Sequence, residues 1–324
     1  MKIRPMPVLP RSHPDRAAAT LANVVRQADA PAEPWAPPGP GAADCRIDLK
    51  LLQWRAQRAM AACAASREHL QPYAANTHQD LWSGTVQDGT ARGFAARLEE
   101  AIALAGPEPV PTWLAPAADA RVTTGKELRR RKDLLVASGG ARVRFTRKEG
   151  VLFVDRDAEL HSSNCLRFEA RADHGSLDGF VGAADERPRL FSAQFLQPVE
   201  YLESAAGSRL KLQGRIGRSA SGWDVTITLA GRVDERQLHV RIALQNRLAR
   251  QRLRLRWLGI PSEAIAHDCT PVREVVDGDG RSFVAFTLVR ANDVLLVDGA
   301  VVAAPAANCE GTLVHDFHLG VASG

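Results

Sequence analysis

The spacing of apolar residues along this chain changes once, at about residue 140. In the range 45–106, apolar residues recur every three or four positions in two segments, as they do on one face of a helix. The first stripe consists of Leu49, Leu52, Ala56, Ala59, Met60 and Cys63, and the second of Phe94, Leu98, Ile102 and Ala105. Pro72 ends the first segment and Gly106 with Pro107 ends the second, so the pattern predicts a small bundle of short helices.

After residue 140, apolar and polar residues alternate. The clearest cases are 223–231 (WDVTITLAG), 238–246 (LHVRIALQN) and 252–260 (RLRLRWLGI). Each predicts a strand with one buried face and one face in water, which is typical of antiparallel sheets. Gly231 is expected at a turn, and DGDG at 277–280 predicts a hairpin. The predicted fold class is α+β, mainly β: a small helical bundle followed by an antiparallel β-sandwich.

Proline-rich stretches divide the chain into four parts. Residues 1–44 form a Pro- and Ala-rich segment and linker, and residues 107–140 form a connector that begins with PEPVPTWLAPAAD. Proline cannot continue a helix and cannot donate a hydrogen bond within a sheet, so these stretches favour connecting segments. We therefore predict a helical bundle at 45–106 and a sandwich at 141–324.

Composition and charge exclude some classes of partner. Apolar residues make up 45% of the chain and charged residues 24%, which are values of a globular protein. The 42 basic and 37 acidic residues are dispersed and aromatic residues are only 6%, whereas nucleic-acid binders concentrate basic charge beside aromatics. The densest basic run, KELRRRKD at 126–133, contains acids of its own, and we interpret it as a solvated face or linker rather than a phosphate-binding patch.

Cysteine spacing and the N-terminus indicate the compartment. The five cysteines are far apart and form no CxxC pair, which favours reduced thiols over disulfides or a zinc knuckle. Prolines and charges interrupt the first 27 residues, so we expect no signal peptide, and no run of 18 apolar residues occurs. The expectation is a cytoplasmic protein without a membrane or nucleic-acid partner.

Two polar motifs are candidates for chemistry. THQDLWSGT at 77–85 holds His78 and Asp80, and by itself it is also compatible with a polar pair near a helix end at which Asp80 caps the next helix. His315 and His318 have a spacing that occurs at metal sites. On a strand, however, residues three apart point to opposite faces, which favours structural or solvent-exposed histidines.

The C-terminal residues carry a family resemblance. TLVR at 287–290 and APAANCEG at 304–311 follow each other as in the closing sandwich segment of glycoside hydrolase family 38, the α-mannosidases, with Asn308 where Gln is usual. The strand pair at 244–257 (LQNRLARQRLRLRW) is also similar to that family. The resemblance extends over some 130 residues and implies a sandwich of the galactose-mutarotase-like type.

The helical part resembles the three-helix middle domain of the same family, and THQDLWSGT is similar to its Gln-His-His-Asp-x-x-x-Gly-Thr motif. In that motif the second His is a zinc ligand and the Asp contacts the sugar. The resemblance implies that Asp80 contacts a sugar, and from the residue types we expect His78 to face a sugar hydroxyl and Trp82 to be the apolar platform. Gln79 stands at the zinc position, and a carboxamide is a poor zinc ligand, so no metal or other cofactor is expected.

The resemblance does not extend to catalysis. The family takes its nucleophile and remaining zinc ligands from an N-terminal α/β domain, for which residues 1–44 are too few. Glycoside cleavage needs two carboxylates at a defined separation, so no catalytic residue is assigned and no hydrolysis by this chain alone is expected. Three hypotheses remain: a non-catalytic carbohydrate-associated protein that binds a sugar or glycan, a subunit completed by a catalytic-domain partner chain, and a structural or assembly module without a ligand.

Overall fold

The computed structural model describes residues 46–62, 88–106, 110–154, 160–162, 165–177, 180–182, 186–192, 195–218, 221–260, 264–267, 273–278, 281–297 and 300–320. Over these ranges the chain forms three α-helices and eighteen β-strands, and the strands pair antiparallel. The predicted class, α+β and mainly β, is confirmed. No helix in the described part of the chain is both long and apolar enough to cross a membrane.

The first two helices pack side by side. Helix α1 spans Ile47–Ala62 and helix α2 spans Asp88–Ala105. Leu49 of α1 and Leu98 of α2 lie in one buried cluster, at 3% and 0% exposure. Side chains at three- and four-residue spacing share one helix face, so the two predicted stripes meet along this contact.

Helix α1 has a second apolar face that the sequence pattern did not indicate. Ile47 and Leu51 are buried in the core of the sandwich, and Trp54 packs against that core. Apolar positions therefore occupy two sides of α1, because the helix lies between α2 and the strands. A single stripe is the expectation for a helix with only one buried side.

The segment 107–140, which we predicted to be a connector, contains regular structure. A 3₁₀ turn at Thr112–Leu114 is followed by strand β1 (Arg121–Thr124), helix α3 (Gly125–Arg130) and strand β2 (Asp133–Ala137). The β-structure thus begins about twenty residues before the predicted boundary at 141. Strand β1 is short and only Thr123 of its four residues is buried, so its apolar alternation is too weak to be recognised from sequence.

Three larger sheets and one isolated hairpin make up the β-structure. The seven-stranded sheet runs β1–β8–β9–β10–β11–β18–β13, the five-stranded sheet β14–β15–β12–β6–β7, and the four-stranded sheet β2–β3–β4–β5; β16 and β17 form the hairpin. The remaining strands are β3 Arg142–Thr146, β4 Gly150–Val154, β5 Leu160–Ser162, β6 Leu166–Ala172, β7 Arg189–Ser192, β8 Gln197–Ser204, β9 Gly207–Arg218, β10 Ser221–Arg232, β11 Leu238–Asn246, β12 Gln251–Leu258, β13 Ile265–His267, β14 Arg273–Gly278, β15 Arg281–Ala291, β16 Val294–Val297, β17 Ala300–Ala303 and β18 Gly311–Leu319.

The main core lies between the seven- and five-stranded sheets. Trp223 of β10 and Trp257 of β12 are both buried in it, and the apolar positions of the three alternating segments all point inward. The sandwich prediction is therefore confirmed. The hairpin predicted at 277–280 is also present, since Gly278 pairs with Arg281, although residues 279–280 lie outside the described ranges.

Two details of the strand predictions are wrong. Gly231 lies within β10 rather than at a turn, and a Cβ at this position would stand 2.2 Å from the carbonyl oxygen of Ala137, so only glycine fits there. Arg254 was expected in water but is 7% exposed. It is buried because its guanidinium binds Glu169, itself 1% exposed, through hydrogen bonds of 3.0 and 2.6 Å.

Candidate functional site

The four residues that the sequence assigned to a sugar and metal site fall outside the described residues. His78, Gln79, Asp80 and Trp82 belong to the segment 63–87, which connects the last residue of α1 to the first of α2. Their roles therefore stay predictions. The described part of the chain defines the surface formed by these two helices and the sheet beside them.

A groove of about 600 Å³ lies between the helical pair and the outer face of the seven-stranded sheet. Its wall combines apolar side chains of α1 with polar side chains of β11 and β18. The polar side chains face the groove because alternate residues of these strands, such as Val240 and Ile242, point into the core. The charged lining residues are Asp48, Arg55, Arg58, Glu99, Arg241, Glu310 and Asp316.

The best-defined contact of the groove is centred on the Asp316 carboxylate. Arg241 stands opposite it in the strand register, and its Nε and Nη2 donate to Oδ1 and Oδ2 at 2.6 Å each. Arg58 of α1 approaches Oδ2 through Nη1 at 3.5 Å. Asp316 is 8% exposed, so these arginines compensate a carboxylate that is largely removed from water. The contact fixes α1 to the sheet.

A ring stack continues from this contact along the sheet. The Trp113 ring lies parallel to the His239 ring, with centroids 5.0 Å apart, and the Arg241 guanidinium lies 5.3 Å from the Trp113 centroid. His239 Nε2 is 2.5 Å from Glu235 Oε2, and the His318 ring meets His239 edge-on. Trp113 therefore holds the 3₁₀ turn of residues 112–114 against the sheet.

A buried thiol lies at the other end of α1. Cys309 Sγ donates to Asp48 Oδ1 at 3.2 Å, and Cys309 adopts a positive φ of 51°. Burial, followed by the nearby Asp48 carboxylate, raises the pKa of this thiol well above its ordinary value of 9.0. The thiol is protonated at neutral pH and donates a hydrogen bond from the segment before β18 to helix α1.

His315 and His318 point to opposite faces of β18, as the sequence predicts. His318 lies on the outer face beside His239, whereas His315 is fully buried. His315 Nε2 donates to the Leu288 carbonyl oxygen at 2.9 Å, and its Nδ1 lies 3.2 Å from His267 Nε2. Burial lowers the pKa of His315 to about 4, so the ring is neutral at physiological pH. Within the described ranges, no three His, Cys, Asp or Glu side chains are grouped to hold a metal ion.

The charged side chains of the groove can form hydrogen bonds with a small polar ligand, and among the described residues no group of side chains is arranged to hold a metal ion. Sequence alternation placed Arg241 on the polar face of its strand. It did not pair Arg241 with Asp316 or Asp316 with Arg58. That pairing depends on the β11–β18 register and on where α1 docks.

Solved structures with a similar fold exist. An alpha-mannosidase from Enterococcus faecalis V583 matches with a TM-score of 0.59 and 12% identity, over 86% of this chain and 55% of that one. A protein in the glycosyl hydrolase family 38 from Enterococcus faecalis matches with a TM-score of 0.58 and 12% identity, over 86% and 56%. The resemblance found in the sequence is thus confirmed for the fold, and the chain spans about half the length of these proteins. No protein-family model and no curated protein matches the sequence.

Proposed function

We propose that this chain is a carbohydrate-associated protein, equivalent to the non-catalytic half of an α-mannosidase, that binds a neutral glycan between its helical pair and its sandwich. The observation that supports this most directly is the similarity of the fold, in which Arg58 of α1 contacts Asp316 of the sheet. The similar folds belong to an alpha-mannosidase and a family 38 protein. The 77–85 segment joins α1 to α2 in the sequence, and both of these helices line the charged groove.

Within the motif, Asp80 and His78 are the proposed polar contacts of the sugar. A carboxylate accepts hydrogen bonds from two hydroxyl groups at once, and neighbouring sugar hydroxyls present donors in pairs. Trp82 is the proposed platform for the apolar face of the ring. A shallow site of this kind binds at about millimolar level, roughly 4 kcal/mol.

Zinc does not fit the donor set of this chain. Gln79 stands at the position of the family's zinc ligand, and its carboxamide oxygen is an uncharged and weakly basic donor. The described residues contribute no further group of metal-binding side chains. We therefore propose that this chain does not hydrolyse glycosides by itself.

The alternative function is a subunit of a split glycoside hydrolase. It is favoured by the coverage of the similar structures, because this chain matches 55% of the alpha-mannosidase and a partner chain would supply the remainder. In that case Asp80 and the groove complete a site whose catalytic carboxylates come from the partner. A purely structural module without a ligand is the third function to be tested.

Titration of the isotope-labelled protein with mannobiose, followed by chemical-shift changes, tests the proposal. We expect shifts clustered on 77–85 and the groove, abolished by Asp80→Asn and unchanged by Asp133→Asn, which alters an exposed carboxylate of β2. A flat response overturns sugar binding and leaves the subunit and structural functions. Turnover of an aryl α-mannoside with added zinc, lost on Asp80→Ala, would overturn the absence of hydrolysis.

A further inference from the structure

A second cleft lies at the open side of the sandwich, away from the helices. The five-stranded sheet ends at β7, and the end of β9 in the other sheet faces it. The space between them is about 420 Å³. Its lining residues are Arg189, Phe191, Ser192, Phe195, Arg215, Ile216, Gly217 and Arg218.

The described lining of this cleft carries an excess of positive charge. Three of its lining residues are arginines, and none is acidic. Arg189 donates to the neutral amide of Gln251 at 2.9 Å, and Arg215 binds Asp224 at 2.6 Å. Arg218 lies exposed at the end of β9. Guanidinium groups stay protonated at every physiological pH, so the described lining keeps an excess of positive charge over the one carboxylate paired with Arg215.

The cleft also contains exposed aromatic surface. The Phe195 side chain is 65% exposed, whereas Phe191 is half-buried and packs against the sandwich core. An exposed apolar ring in a cleft that is also lined by arginines gives a surface with one apolar and one cationic part. This combination fits a ligand that has an apolar face and a negative charge. The apolar face of the ligand would cover Phe195, and its anionic group would contact the arginines.

We propose that this cleft binds an acidic saccharide, a uronic-acid disaccharide, whose ring packs on Phe195 and whose carboxylate pairs with Arg218. The choice of a saccharide as the occupant rests on the proposed carbohydrate-associated function, but the cleft shares no lining residue with the groove. The positive charge of the cleft favours an acidic sugar over a neutral one. The volume of the cleft is suited to a disaccharide rather than to a long oligosaccharide.

The test compares digalacturonic acid with galactobiose, which share their rings but differ in the carboxylates. Calorimetric titration of the full chain should detect the acidic disaccharide and give a much weaker response, or none, with the neutral one. Arg218→Gln and Phe195→Ala should each weaken binding of digalacturonic acid about tenfold or more, since a charged hydrogen bond or a covered ring is lost. Both side chains are exposed, so the variants should unfold at the wild-type midpoint.

Matched controls separate the cleft from general charge effects. Arg147→Gln removes an exposed arginine from the turn after β3 and should leave binding unchanged. Sulfate binding should respond to Arg218→Gln but not to Phe195→Ala. Three results would each overturn the proposal. They are equal binding of the two disaccharides, binding of digalacturonic acid that neither cleft variant weakens, and tighter binding of a tetraglutamate peptide than of digalacturonic acid.

The same titrations distinguish this proposal from the proposed function. Binding of digalacturonic acid that survives Asp80→Asn, together with a flat mannobiose response, keeps the acidic cleft and removes the neutral glycan site. If the protein binds mannobiose but not digalacturonic acid, the neutral glycan site is kept and the acidic cleft is removed.

Discussion

Arg241 and Asp316 stand opposite each other on neighbouring strands, and two parallel hydrogen bonds of 2.6 Å join the guanidinium to the carboxylate. The same carboxylate meets Arg58 of the first helix at 3.5 Å. One aspartate therefore links two strands and a helix, and it does so where only 8% of its surface is exposed. An Arg–carboxylate pair with two bonds is geometrically specific, so it fixes the position of the carboxylate that Arg58 of the helix contacts.

We expect Asp316→Asn to destabilise the protein, because two arginines lose the negative charge that compensates them in a largely buried site. The free energy of unfolding should fall by about 2–4 kcal/mol, measured by urea denaturation. Glu127→Gln is the matched control, since its pair with Arg121 is exposed at 57% and 69% and should change stability by less than about 1 kcal/mol. Equal effects of the two variants would show that the Asp316 contact does not stabilise the docking.

We expect the buried contact between the two helices to contribute to the stability of the protein. Leu98 is fully buried, so Leu98→Ala should lower the free energy of unfolding by about 2–4 kcal/mol through lost burial and a cavity. Leu104 on the same helix is 60% exposed, and Leu104→Ala should have little effect. A loss of helix signal at a lower denaturant concentration than the strand signal would contradict cooperative docking on the sandwich.

The buried thiols should resist alkylation. Burial raises the pKa of Cys165 to about 12 and that of Cys309 well above its ordinary value, so little thiolate is present at pH 8. Iodoacetamide labelling followed by peptide mass spectrometry should modify both only after denaturation. Rapid modification of Cys309 alone in the native protein would indicate that the first helix opens, because Cys309 contacts Asp48 of that helix.

Stability should decline in mild acid because of His315. Its folded pKa is about 4 against an ordinary value of 6.5, so the unfolded state binds a proton first as the pH falls. The stabilising contribution is complete above about pH 6.5 and is lost towards pH 4, on the order of 3 kcal/mol over that window. The titratable neighbours of His315 are His267 and Asp316. The negative charge of Asp316 raises the pKa of His315 and so opposes the effect of burial.

Chemical denaturation at several pH values checks this expectation. His315→Gln should flatten the dependence of unfolding free energy on pH between 6.5 and 4. Replacing the exposed His174 by Gln should leave the slope as in the wild type. An unchanged slope in His315→Gln would assign the acid sensitivity to other groups.

The alternation of apolar residues determined most of the sandwich. In β10 and β11, every second residue from Trp223 and from Leu238 is buried, because a strand between two layers must turn one face to the core. The helix stripes around Leu49 and Leu98 were likewise visible in the sequence, and they meet in the fold. Local periodicity suffices to predict these elements, because the order of apolar and polar residues within each segment already identifies its buried face.

Only the tertiary structure decided which polar groups meet. Arg254 has the same sequence pattern as a solvated arginine, yet it is buried against Glu169, which lies 85 residues earlier. Arg58 and Asp316 are 258 residues apart, and Arg241 becomes their neighbour only through the register of β11 with β18. Periodicity specifies the face on which a side chain lies, but not its partner across the fold, because long-range pairing depends on the packing of all elements together.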